Sequence, residues 1–165
     1  MKSRVLTVSL LALGVATISL AQTKISGEAK CAKPDPFHMV DVGDKAGHAL
    51  TLSKNACTWT KPIDIGGLQT KEGQSTAMAE VIGNKSLENG WEFDNMSNGD
   101  KIFVKYRGSS TLKDGAPLSF AGTWSFTGGT GKLKGLKGKG TYAGGAPAAD
   151  GSITFAIEGE YELPT

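Results

Sequence analysis

Apolar and polar residues alternate along most of the chain beyond residue 21, with a period of two. The clearest run is 118–126, where Leu118, Phe120, Gly122, Trp124 and Phe126 share one face. Ser119, Ala121, Thr123 and Ser125 share the other. The stretch 152–163 repeats the pattern, with Ile153, Phe155, Ile157, Gly159, Tyr161 and Leu163 against Thr154, Ala156, Glu158, Glu160 and Glu162. Ile102, Val104 and Tyr106 form the apolar face of 101–107. A two-residue period is that of a β-strand with one buried face. The segment 76–82 fits strand or helix; it is assigned to strand because nothing nearby supplies helix caps or length. Shorter strands are predicted over 22–30, 37–42 and 91–94. Residues 48–60 read as a hairpin turning at Lys54-Asn55.

Turn signals separate these runs. Gly43 to Gly47, Asn89-Gly90, Asn98-Gly99-Asp100 and Asp114-Gly115 are of the kind that reverse a chain. Pro34 and Pro36 keep 32–36 out of a central strand. Short strands at regular spacing with glycine-rich turns predict a sandwich or a barrel, and closure removes exposed edges. The expected fold is all-β: a single antiparallel closed β-barrel of about eight strands over 22–165, preceded by a signal peptide.

The stretch 127–142 interrupts the alternation with a cluster of glycines and lysines. Gly128, Gly129 and Gly131 mark an abrupt turn, with Leu133 and Leu136 to anchor it. Gly131-Lys132 resembles the end of a phosphate loop. The motif also needs Gly at 126 and Ser or Thr at 133, where Phe126 and Leu133 stand. The dinucleotide fingerprint fails too, and no helix pattern follows. Beyond Gly135, Lys137, Lys139 and Thr141 alternate with Gly138, Gly140 and Tyr142. Inward glycines suit a strongly curved strand. The outward lysines are read as cross-strand partners of the glutamates at 158, 160 and 162, in preference to an anion site.

These residues carry a family resemblance. Phe126-Thr127-Gly128-Gly129-Thr130-Gly131-Lys132-Leu133-Lys134-Gly135-Leu136-Lys137-Gly138, with Phe155-Ala156-Ile157-Glu158-Gly159 downstream, resembles the allene oxide cyclase-like barrel family. The Gly-Gly-Thr-Gly element is similar to that of dirigent proteins, and the whole is similar to a group of uncharacterised secreted bacterial proteins. The resemblance covers about the last third of the chain. It implies an eight-stranded antiparallel barrel with an apolar cavity and, from the plant members, a homo-oligomer. The shared motif is a fold element without a catalytic residue, so neither activity is carried over.

Composition adds the compartment. Lys2 and Arg4 precede an apolar run over 5–20, and Ser19-Leu20-Ala21 supplies the small residues of a cleavage site. That is a signal peptide, domain 1–21, too short for a membrane span; no integral membrane segment is expected after cleavage. The formal charge is +2. Losing Lys2 and Arg4 leaves the mature chain balanced, which gives no electrostatic case for nucleic acid. The expected location is periplasmic or extracellular. There an oxidising environment makes a Cys31–Cys57 disulfide the default. Such a bridge is worth roughly 3–4 kcal/mol in the chain-entropy model.

Candidate chemistry is sparse. The chain has two histidines, His38 and His48, and lacks HExxH, CxxC and Gly-x-Ser-x-Gly. No metal site and no cofactor are expected. His48 shares a face with Leu50 and Leu52; Glu80 shares one with Met78 and Ile82. If both faces turn inward, His48 and Glu80 are the best acid–base pair, because burial raises a carboxyl pKa. The weightier alternative puts both towards solvent. Trp59, Trp91, Tyr106 and Trp124 line a cavity or fill a core. The function expected is an exported barrel, more readily non-enzymatic, binding a small apolar ligand or a protein partner. The alternative is an isomerase or cyclase acting in the barrel cavity. The compartment assignment predicts that the exported protein begins at Gln22, which N-terminal sequencing checks; a mature chain that retains Met1 would contradict it.

Overall fold

The computed structural model describes residues 22–164. The predicted signal peptide over 1–21 lies outside the described residues. Ten strands follow in order: β1 Thr23–Cys31, β2 Phe37–Asp41, β3 His48–Lys61, β4 Asp64–Ile65, β5 Leu68–Ile82, β6 Lys85–Met96, β7 Lys101–Lys113, β8 Ala116–Gly129, β9 Lys137–Gly144 and β10 Ile153–Glu162. A single 3-10 turn, Gly131–Leu133, sits between β8 and β9. Eight of the strands form a closed antiparallel barrel in the order β3-β1-β10-β9-β8-β7-β6-β5, and β5 returns to pair with β3.

Closure depends on β1, which lies between the last strand and β3. Thr23 to Cys31 pairs along β10, while the contact with β3 is confined to its far end, 57–61. The short seam is pinned covalently where Cys31 faces Cys57, and the two form the expected disulfide. Beyond the Pro34–Pro36 break, β2 continues along the same edge of β3 at 49–53.

Several sequence expectations change. Residues 48–60 are one strand and not a hairpin. Lys54-Asn55 brings neither proline nor a positive φ, so the alternation runs through it unbroken. Asn89-Gly90 lies inside β6 and is not a turn; Gly90 faces the interior. Leu118 leaves the inward face and is 46% exposed. Thr111 pairs with Ser119 but Leu112 pairs with Pro117, so Leu118 is the extra residue of a bulge. The remaining faces of β7, β9 and β10 point as expected. Lys137 lies opposite Glu162 and Lys139 opposite Glu160.

The two ends of the barrel differ. At one end Ile63, Ile65, Met96, Ile102, Leu133 and Leu136 pack into a buried plug. The glycine turn at 128–131 serves this end by swinging Leu133 and Leu136 over it; Gly131 takes φ +51. At the other end, the loops around Lys33, Gly47, Gly83, Gly115, Pro147 and Gly151 surround an opening.

Inside, aromatic rings lie flat on glycines of neighbouring strands. Glu88, Gly108, Gly122 and Tyr142 form one row across β6, β7, β8 and β9. A Cβ at Gly108 would lie 2.1 Å from the Tyr142 hydroxyl, and one at Gly122 would lie 2.5 Å from its ring. Tyr142 thus reaches across two strands only because both positions lack a side chain. Trp124 lies in the same way over Gly140 and Gly159, and Tyr106 over Gly90. Gly108→Val is therefore expected to displace Tyr142 and destabilise the barrel by about 1–3 kcal/mol, the usual penalty for overpacking. Gly145→Ala, with nothing within 4 Å, stays within about 0.5 kcal/mol. Urea unfolding of the two variants checks this; equal midpoints would contradict it.

Candidate functional site: an acidic interior wall

The interior holds a cavity of about 710 Å3 that opens at the loop end. Its walls are of two kinds. On the β8–β10 side, Phe120, Trp124, Phe126, Tyr142, Phe155 and Ile157 make an apolar and aromatic surface. Phe155 meets both Phe120 and Tyr142 edge to face. On the β3–β5 side, Trp59, Asn55 and Val81 apart, the inward residues are small: Ala49, Thr51, Ser53, Ser75, Ala77 and Ala79. Small side chains there leave the space that the opposite wall fills.

Strand β6 brings acid into this space. Its inward face carries Ser86, Glu88, Gly90, Glu92 and Asp94. Tyr142 donates a hydrogen bond to Glu88 Oε1 across the two glycines. Trp59 Nε1 donates to Asp94 Oδ1 at 2.8 Å. Ser75 Oγ and Tyr106 OH are 2.6 Å apart. Burial pushes all three carboxyls up. Asp94 is raised to about 6, by burial first, against the pull of the Trp59 and Glu92 hydrogen bonds. Glu92 is raised well above the usual glutamate range, by burial and then by the charge of Asp94. Glu88 moves up by burial, against its Tyr142 bond. Burial and mutual repulsion thus favour the protonated forms of the Glu92–Asp94 pair. Burial also raises both Tyr106 and Tyr142, and the charge of Glu88 adds to each. Lys33, at the mouth, is the one basic residue in the lining.

Three of the four sequence-predicted cavity aromatics, Trp59, Tyr106 and Trp124, line this space. Trp91 does not. It lies on the outer face of β6, 50% exposed, with the Lys105 ammonium 5.7 Å from its ring. The inward positions of β6 are even-numbered, so an odd-numbered residue such as Trp91 must point out.

His48 and Glu80 do meet, with Nε2 2.9 Å from Glu80 Oε1 and Nδ1 bonded to Asp44. They meet on the outer wall, however, because Ala49, Thr51 and Ala79 take the inward positions of β3 and β5. The Asp44 hydrogen bond leads in raising the His48 pKa, against burial. As a pair for cavity chemistry they are displaced. The residues that sequence reasoning missed are Glu88, Glu92 and Asp94. The available signal was their even spacing through Gly90, hidden once Asn89-Gly90 was taken as a turn.

A larger concavity of about 1130 Å3 lies on the outer wall, where Lys24, Lys105, Arg107 and Lys139 interleave with Glu158 and Glu160. Its mixed signs present no uniform charge to a ligand. Among the described residues no group of three or more His, Cys, Asp or Glu is placed to hold a metal ion, and no helix is long and apolar enough to cross a membrane.

No protein-family model matches the sequence, and no curated protein matches it. Solved structures match the fold. A DUF3224-family protein of unknown function from Shewanella oneidensis MR-1 aligns with 88% of this chain and 99% of its own, at 16% identity and a TM-score of 0.53. A conserved protein of unknown function from Rhodopseudomonas palustris aligns over 86% and 99%, at 10% identity and a TM-score of 0.50. A pterocarpan synthase dirigent protein aligns over 90% and 91%, at 12% identity and a TM-score of 0.48. The likeness is one of fold.

The buried carboxyls give stability a defined pH dependence. In the unfolded chain they titrate near 4. As pH rises above that, the unfolded chain loses protons that the folded barrel keeps, so stability falls with pH through about 6 for Asp94 and further for Glu92. His48, with its raised pKa, adds a loss of the same sign at higher pH. Glu92→Gln isolates the interior contribution. It is expected to raise the Tm at pH 8 and flatten the slope of stability between pH 5 and 8. Superimposable melting curves of variant and parent at both ends would contradict this.

Proposed function

We propose that this chain is an exported, non-enzymatic β-barrel that binds a small apolar ligand in its interior. The observation that carries the proposal is the cavity itself. About 710 Å3 is within the range of small-molecule sites, and the lining pairs an apolar wall with a few polar groups. A barrel with a filled interior would have removed this possibility. Export is supported by the leader pattern in the sequence and by the Cys31–Cys57 bridge. The isomerase or cyclase alternative loses the residues it was built on, since His48 and Glu80 face away from the cavity.

A second surface supports a protein contact, with another copy of the chain as the partner. Leu50, Leu52, Met78 and Leu87 stand on the outer faces of β3, β5 and β6 and are each more than half exposed. Grouped apolar residues of this size on an outer wall are characteristic of an association surface. Native mass spectrometry of the protein isolated from its own host tests both points. A small-molecule adduct on a multimer is expected, and Leu50→Glu with Met78→Glu reduces it to liganded monomer. A bare monomer from the host would overturn both.

A further inference from the structure

We propose that the ligand of this cavity is an organic cation, an apolar amine whose ammonium lies against the β6 carboxylates and whose hydrocarbon body lies against Phe120, Phe126 and Phe155. The inference rests on the ligand-binding reading above and deepens it.

Three features of the interior support it. The first is a charge imbalance: Glu88, Glu92 and Asp94 face a cavity whose only basic residue, Lys33, stands at the mouth. A buried carboxylate without a counter-ion is costly, and a cation brought in by the ligand relieves that cost. The second is independent of the acids. Ser86 and Ser110 face each other across β6 and β7, are more than nine-tenths buried, and line the cavity. Among the described residues every fully enclosed side-chain nitrogen or oxygen has a hydrogen-bond partner, so these two hydroxyls, which make no hydrogen bond, open onto the cavity. Two unpaired hydroxyls beside Glu88 are donors and acceptors left for a guest. The third is spacing. From Glu88 to Asp94 a strand advances about 20 Å, at roughly 3.4 Å per residue. That spread suits an elongated organic molecule better than a compact metal ion, which needs converging ligands.

The proton balance follows. An alkylammonium enters carrying its proton. Burial raises the Glu92 and Asp94 carboxyls, so an ammonium beside them favours their ionised forms, and a proton they give up goes to solvent. The remaining titratable groups facing this position are Glu88, Asp94, Tyr106 and Tyr142, with Lys33 at the mouth. The tyrosines stay neutral, since burial holds both far above neutral pH.

Three matched probes test the assignment on the mature barrel: 2-naphthylmethylamine, 2-naphthylmethanol and 2-naphthoate. Calorimetry at pH 6.5, in two buffers of different ionisation enthalpy, reads affinity and proton release together. The amine is expected to bind about tenfold or more tightly than the alcohol, as charge-assisted hydrogen bonds allow. It should release up to about one proton, and naphthoate should bind weakest. Glu92→Gln and Glu88→Gln, which remove buried charge without removing volume, should cut the amine preference and leave the alcohol unchanged. Glu92→Gln should also reduce the proton release. Alcohol or naphthoate binding as tightly as the amine would overturn the cation assignment while leaving a ligand-binding barrel in place. No binding by any of the three would overturn the cation assignment as well, and an adduct on the host protein would still uphold the cavity reading.

Discussion

Closure of the sheet through β1 is the constraint on which the rest depends. Once β1 bridges β10 and β3, every strand has one face that cannot reach solvent except through the barrel mouth. Side-chain parity then decides each residue's environment. On β6 the even positions go in, so Glu88, Glu92 and Asp94 are captive and Trp91 is not. A shift of one residue would exchange an acidic wall for an apolar one. The Cys31–Cys57 bridge sits where this matters, on the shorter of β1's two pairings.

The interior of an eight-stranded ring is narrow enough to be filled by side chains. This chain divides that space unevenly. Glycines on β6 to β10 let Tyr106, Trp124 and Tyr142 lie along the wall instead of across the axis. Alanine, serine and threonine on β3 and β5 keep the opposite wall low. The cavity is the difference between the two, bounded below by the Ile63, Ile65, Leu133 and Leu136 plug. The same glycine row that makes room for Tyr142 brings its hydroxyl to Glu88, so shape and electrostatics are set by one feature.

Much of this was legible in the sequence, because alternation reports burial directly. The faces of β7, β9 and β10, the plug role of Leu133 and Leu136, and the cysteine pairing could all be taken from the residues. The site was harder to see. Asn89-Gly90 has the composition of a turn, yet here the glycine is a landing place for Tyr106, directly opposite on the neighbouring strand and sixteen residues on in sequence. Local chemistry and tertiary demand gave opposite answers, and the tertiary demand won. The outward turn of His48 and Glu80 has a related cause. Their face carries leucine, methionine and isoleucine, which usually marks the buried side. In this barrel the narrow interior takes the alanines instead, and the larger apolar residues are left outside.

An acidic interior is an unusual thing for a fold to maintain, since each charge removed from water costs free energy. The barrel tolerates it by raising the pKa of the Glu92 carboxyl, which favours its neutral form, and by giving Asp94 and Glu88 single hydrogen bonds from Trp59 and Tyr142. The account as a whole requires that these carboxyls be enclosed. Side-chain carboxyl NMR, following each Asp and Glu carbon as pH is varied, tests that most directly. It should show Asp94 titrating near 6 and Glu92 well above the ordinary glutamate range. Ordinary titration of all three near pH 4 would mean that β6 turns its acids to solvent, and the closed-barrel account of the site would be wrong.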